Sequence, residues 1–237
     1  GTDSKITTIG YYCNPIQYAE HRKTLENVIC TAGKFGATHV STFAGAWEGK
    51  PVESAYEEFG KVFRELADLA EEKGVKLGIE NCLMDGTWEH ATCNIGFNPK
   101  AWEVMFEEVK NDNFGLEWEP THQMVQLIDP VTELRKWCKK IVHIHGKDAT
   151  IDWDAVRHSG ISGAVPFVWH RMPGFGDTNW RDIISILRSN GYEDDICIEG
   201  YHDPVYSGEL EMTGQLHALN YLKWCRGGDF TPTPWAK

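Results

Sequence analysis

Tyr11-Tyr12-Cys13-Asn14-Pro15 closes the first β-branched run of the chain, Ile6 to Tyr12, and contains no glycine. In an open, doubly wound sheet this turn would carry a Gly-rich phosphate loop. Its absence directs the reading to a closed barrel. Working outward, further strand candidates are His39 to Phe43, Val75 to Glu80, Gly115 to Glu119, Ile141 to His145 and Ile196 to Glu199. Helical patterns separate them. The clearest places Tyr56, Phe59, Val62, Phe63, Leu66, Leu69 and Ala70 on one face, with Gly74 just beyond its end. Asn98-Pro99 and Asp129-Pro130 set a capping side chain before a proline at the first helical position, and Thr178 and Ser207 are candidate caps for the last two helices.

Strands alternating with crossover helices imply a parallel sheet. The predicted fold is therefore α/β, a TIM (β/α)8-type barrel. Such barrels usually take about 250 residues, and only six strand-helix pairs are legible, so the first two βα units are expected to be missing from this chain. Open sheet edges would then need cover, and a homo-oligomer is the expected partner. No linker divides residues 1–229, which are expected to form one domain, followed by a tail over residues 230–237 that holds two prolines.

The chain has 237 residues, with 35 acidic against 23 basic side chains and a formal charge of −12. That excess argues against nucleic acid as a partner, because phosphate neutralisation concentrates Lys and Arg. A hydrophobic content of 41% is enough to bury a core. With no apolar run of membrane-spanning length and no signal-peptide layout at the N-terminus, no membrane partner is expected, and the localisation read from the sequence is cytoplasmic. The seven cysteines are scattered without a C-x-x-C pair, as befits buried thiols rather than a disulfide framework or a thiolate zinc site.

Four strands share a peculiarity when read by alternating parity. Lys76, Gly78 and Glu80 oppose Val75, Leu77 and Ile79; Gly115, Glu117 and Glu119 oppose Phe114, Leu116 and Trp118. His143, His145 and Lys147 oppose Val142 and Ile144, and Cys197 and Glu199 oppose Ile196 and Ile198. Each strand thus turns a polar face inward and ends it with a ligand-type side chain, at the strand ends where barrel active sites form. Glu80, Glu119, His145 and Glu199 make an oxygen-rich, hard site. Such a site suits Mn²⁺, Mg²⁺ or Co²⁺ better than a thiol-seeking metal. The plainer alternative is a ring of rim carboxylates around a hydrogen-bonded histidine.

The runs Gly78-Ile79-Glu80-Asn81, Glu119-Pro120-Thr121-His122, His143-Ile144-His145-Gly146-Lys147-Asp148, Pro173-Gly174-Phe175-Gly176-Asp177-Thr178-Asn179-Trp180 and Ile198-Glu199 resemble, in order and spacing, the sugar phosphate isomerase/epimerase family of xylose-isomerase-like TIM barrels. The resemblance extends from about Ile6 to Cys225. It implies one divalent metal ion, Mn²⁺ first with Mg²⁺, Co²⁺ or Zn²⁺ as alternatives, held by Glu80, Glu119, His145 and Glu199. It maps the six strands onto the family's third to eighth. Glu119 departs from the pattern, since the family usually has Asp there, and its longer side chain must shift the metal or bend back.

The resemblance further implies proton transfer next to a carbonyl, with Glu80 and Glu199 as the catalytic acid/bases and a small carbohydrate as substrate. His122 and Arg171 match substrate-oxygen contacts. Lys147 is inward by parity, either to neutralise an oxyanion or to pair with Glu119 or Asp148. Ten tryptophans is a high count, and Trp47, Trp88 and Trp169 follow strands, where an aromatic face can pack against a sugar ring. Trp47 is the one assigned to substrate. His143 reads as a core histidine held by hydrogen bonds, and Asp148 to Met172 as the segment where a lid would sit. The expected activity is a metal-dependent isomerase or epimerase on a sugar, sugar phosphate or polyol ketone. The alternatives are an inosose-type dehydratase on the same site and a catalytically inactive sugar-binding barrel.

Overall fold

The computed structural model describes residues 4–200, 202–229 and 231–233. In chain order the elements are β1 (Thr8–Gly10), α1 (Ala19–Ala32), β2 (His39–Thr42), α2 (Tyr56–Glu72), β3 (Lys76–Glu80), α3 (Pro99–Glu108), β4 (Phe114–Trp118) and α4 (Pro120–Met124). There follow α5 (Pro130–Trp137), β5 (Ile141–Gly146), β6 (Asp148–Ile151), α6 (Trp153–Ser159), β7 (Val168–Arg171), α7 (Trp180–Ser189), β8 (Ile196–Ile198) and α8 (Glu211–Cys225). The chain forms two compact units. Unit 1 runs to Gln126 and takes in Lys139–His145 and Asp194–Ile196; unit 2 takes Leu127–Cys138, Gly146–Glu193 and the described residues from Cys197 onward.

Unit 1 is built on the larger sheet, whose order β1-β2-β3-β4-β5-β8 contains all six strands expected from the sequence. The pairs from β1 to β5 are parallel. Ile9, Val40, Leu77 and Phe114 stand in one row of the register and Ser41, Gly78 and Gly115 in the next. The apolar row faces the helices. Phe114 lies 6.1 Å from Phe59 and 5.9 Å from Phe63 of α2, and 5.7 Å from Phe106 of α3, ring centre to ring centre. Each such side chain stabilises the fold by about 1.5–3 kcal/mol on burial.

The β4–β5 ladder is irregular, because Leu116 pairs with Ile141 but Glu117 with His143. The residue passed over is Val142. Sequence parity grouped it with Ile144, yet its methyl groups lie where a Cβ on Gly78 or Gly115 would be, on the polar side of β3 and β4. An extra residue in one strand bends it and re-aims its side chains, and the two glycines leave room for the result.

Unit 2 holds the antiparallel hairpin β6–β7, in which Asp148 pairs with Arg171 and Ile151 with Val168. The segment expected to be a lid is this hairpin with α6 inside it, and Gly160, Gly163 and Pro166 lie in the irregular stretch between α6 and β7. α7 buries Trp180, Ile183, Ile184 and Leu187, and Phe175 stacks on Tyr206 at 4.2 Å and on His217 at 4.0 Å.

Asn98 and Asp129 cap α3 and α5 as expected, accepting from the backbone N–H of Lys100 and Thr132. The cap of α7 is Asn179 rather than Thr178, with Asn179 Oδ1 accepting from the Asp182 N–H at 3.2 Å. Ser207 precedes a 3-10 turn, Gly208–Leu210, without a side-chain cap. None of the seven cysteines is in a disulfide, but only Cys13 and Cys138 are buried as expected, and Cys30 is exposed. Phe230 and residues 234–237 of the expected tail lie outside the described residues. Among the described residues no helix is long and apolar enough to cross a membrane.

Candidate active site

Three of the expected ligands meet at the C-terminal ends of adjacent strands in unit 1. Glu80 ends β3, Glu119 follows β4 as the N-cap residue of α4, and His145 lies near the end of β5. His145 Nδ1 is 2.9 Å from Glu80 Oε1 and 3.7 Å from Glu119 Oε2. Glu119 is fully buried and Glu80 nearly so.

Amides hold the strand ends in place. Asn81 and Glu119 exchange two hydrogen bonds, the Glu119 N–H donating to Asn81 Oδ1 at 2.7 Å and Asn81 Nδ2 to the Glu119 carbonyl at 2.9 Å. Asn94 Nδ2 donates to the carbonyls of Glu80 and Cys82, each at 2.8 Å, while its Oδ1 accepts from Ala44 N–H. The carboxylates thus stand on backbone tied to neighbouring loops. Burial pushes the Glu80 carboxyl up to about 7, aided by the charges of Glu119 and Glu117 and opposed by the hydrogen bond and charge of His145.

Beneath this group lies a second one that the sequence reading left unassigned. Glu117, fully buried on β4, accepts from the Tyr12 hydroxyl at 2.8 Å and from His143 Nδ1 at 2.7 Å, and His145 Nε2 is 3.3 Å from its Oε1. Burial alone would raise the Glu117 pKa, but the hydrogen bonds and charges of His143 and His145 hold it well below the carboxylate range. Tyr12 moves the other way: burial, then the charge of Glu117, raises its hydroxyl. His143 is the hydrogen-bonded core histidine expected. Glu117 was visible as an inward residue two before Glu119, but no sequence signal marked Tyr12, which reaches the group by folding back over Gly10.

The other expected site residues are placed as follows. His122, on α4, is buried with Nε2 3.4 Å from Glu119 Oε1. Trp47 is half-buried on the loop after β2, where its carbonyl accepts from Lys50 N–H. Trp88 Nε1 donates to Glu53, and Trp169 is exposed on β7. In unit 2 the buried Lys147 donates to Glu199 Oε1 at 2.9 Å, a partner the parity of its strand did not suggest. Asp148 accepts the backbone N–H groups of Ala149, Gly174 and Thr178. Glu199 N–H continues the strand pairing by donating to Gly146 O at 3.1 Å. Arg171 donates through Nε to Asp203 at 3.1 Å, and its guanidinium lies 5.8 Å from the centre of the Phe175 ring.

Residues 2–223 match the family described as xylose isomerase-like TIM barrel. The chain belongs to that family. Among curated relatives, inosose dehydratase of Clostridium tetani is 26% identical over 182 residues, covering 75% of this chain and 57% of the relative, so the chain spans little more than half that protein's length. Among solved structures, a xylose isomerase domain protein from Planctomyces limnophilus superposes with a TM-score of 0.71 at 18% identity over 94% of this chain and 76% of the other. The IOLI protein, solved with a zinc atom, gives 0.69 at 18% identity over 96% and 77%. At these identities the xylose isomerase-like neighbours share the fold.

Proposed function

We propose that the chain is a divalent-metal-dependent isomerase or epimerase acting on a sugar, sugar phosphate or related polyol ketone. The observation that carries the reading is the convergence of Glu80, Glu119 and His145. Their donor atoms lie within 4.8 Å of one another, and atoms about 2.0–2.2 Å from a common ion stand at such separations. Oxygen and imidazole ligands fit Mn²⁺, Mg²⁺, Co²⁺ or Zn²⁺, and Glu199 is proposed as the fourth ligand. When bound, a divalent cation supplies the Lewis-acid charge that stabilises an enediolate.

The chain's own groups then have distinct tasks. With its pKa raised to about 7, Glu80 can hold or release a proton near neutrality. Glu199, its charge paired with the Lys147 ammonium, is the second acid/base, and two bases are what inversion at a carbon requires. His122, Arg171 and Trp47 are proposed to orient the substrate, and Lys147 to neutralise developing negative charge.

The curated relative from Clostridium tetani favours a second reading on the same residues, an inosose-type dehydratase in which the enediolate expels a β-hydroxyl. One experiment tests both. Elemental analysis of wild type and Glu199→Gln, purified without chelator, is expected to show a near-stoichiometric divalent metal that falls in the variant. A panel of ketoses and inososes in deuterated water is then expected to show exchange of the α-proton. Incorporation of solvent deuterium at that carbon with no loss of water supports isomerisation or epimerisation; loss of one water supports dehydration. No bound metal even after added Mn²⁺ would sink both readings in favour of a sugar-binding barrel.

A further inference from the structure

We propose that the outer face of α8 docks a second copy of this chain, the two helices lying antiparallel across a two-fold axis that passes between Leu216 and Leu219. The inference is independent of the chemistry proposed above. Every residue in it belongs to unit 2.

α8 is apolar on two sides. Gly214, Ala218 and Leu222 are buried and form its inner face. Met212, Leu216 and Leu219 recur at helical spacing on another side and are exposed, Met212 by 75% and Leu216 by 59%. Lys223, one turn further on, continues that stripe and is exposed too. A surface helix keeps a polar face to water, whereas one that is apolar around its circumference is covered. α2 obeys the first rule, since every residue it exposes is charged. α8 departs from it, and its outer stripe calls for an apolar partner.

The charges that frame the stripe identify that partner. Other helices pair their charges along their own surfaces, as Arg22 does with Glu26, Lys61 with Glu57, Lys100 with Glu103 and Arg157 with Asp154. Among the described residues, Glu209 just before α8, Lys223 in its last turn and Arg226 at its C-terminal cap make no ion pair. Two helices related by a two-fold axis bring together residues equidistant from that axis. With the axis between Leu216 and Leu219, Leu216 faces the partner's Leu219, Met212 faces the partner's Lys223 and Glu209 faces the partner's Arg226. One axis thus matches leucine to leucine, a thioether to a lysine stem that can cover it, and a carboxylate to a guanidinium. The antiparallel helix dipoles are favourably opposed as well. A parallel pair would instead set Arg226 against Arg226 and Glu209 against Glu209, which like-charge repulsion disfavours. The leucines supply affinity and the terminal charges fix the direction.

Sedimentation velocity of the full chain, over a concentration series reaching about 100 µM, tests the proposal. Wild type is expected to reach twice the chain mass. Leu216→Glu, a change at an exposed position that leaves the inner face of α8 intact, is expected to weaken dimerisation by about tenfold or more. Glu209→Arg is expected to weaken it and Glu209→Arg with Arg226→Glu to restore it, a recovery that a merely unfolded variant would not show. A wild type that stays monomeric throughout would overturn the proposal without any variant. A dimer indifferent to Leu216→Glu would overturn it in favour of another surface, and a double charge reversal that restores nothing would refute the antiparallel register. A monomer that floats with phosphatidylcholine vesicles, and ceases to in Leu216→Glu, would replace the second copy with a lipid surface.

Discussion

Asp203 shows how one buried carboxylate can organise a loop. It accepts the backbone N–H groups of Met172, Val205 and Tyr206 and the Arg171 guanidinium. Burial works to raise its pKa, and these donors together pull it below the ordinary value. A carboxyl lowered by folding stabilises the native state above its unfolded pKa, and that contribution disappears as pH falls through the folded value. Asp203→Asn is expected to lower stability at pH 7 by about 1–3 kcal/mol, the cost of weakening bonds to buried donors. In urea melts the gap from wild type should narrow below about pH 4; a gap independent of pH would show that charge is not its source. At this scale the sequence singled out Glu80, Glu119 and His145, three candidate residues that the fold brings together. It did not reveal that Tyr12 joins them, because the contact spans 105 positions in the chain and depends on a bare Gly10 beneath the ring.

Among the elements, β4 and β5 depend most on small side chains. A methyl group on Gly115 would strike the Lys140 carbonyl oxygen and lie 2.6 Å from a Val142 methyl. Gly115→Ala is therefore expected to cost about 1–3 kcal/mol through forced backbone movement. It should also disturb the His143 and His145 ring resonances, since the irregular register passes through this point; equilibrium unfolding and a ¹⁵N spectrum would check both. Helix starts are independent of such packing. Asp129 caps α5 by accepting Thr132 N–H at 2.6 Å, and Asp129→Ala should cost about 1 kcal/mol, read as a lower urea midpoint at an unchanged slope. The caps at Asn98 and Asp129 were legible because an Asx-Pro start is local chemistry. The hairpin β6–β7 was not, because its pairing joins Asp148 to Arg171 across a segment whose glycines and proline read locally as loop.

For the whole molecule, a cation that binds only the folded chain must stabilise it by mass action. Adding Mn²⁺ at about a hundred times its dissociation constant should raise stability by about 2.7 kcal/mol, and chelator should reverse the shift in melting temperature. The Glu199→Gln variant should respond less. An identical melt with and without metal would contradict the proposed site. The charge of −12 further predicts that the response to added Mn²⁺ contains a screened, nonspecific part, which the shortfall in Glu199→Gln separates from the specific one.

The six strands of the larger sheet, the parallel pairing from β1 to β5, the caps at Asn98 and Asp129 and the strand-end placement of Glu80, Glu119 and His145 were legible in the sequence on its own. Each rests on local periodicity or on the alternation of side chains along a strand, which a linear reading captures. The partner of Lys147, the inward turn of Val142 and the grip of Glu117 on His143 and His145 were decided only by tertiary structure. These depend on register between strands, where skipping a single residue changes which side chains meet, and no local pattern in the chain records that skip.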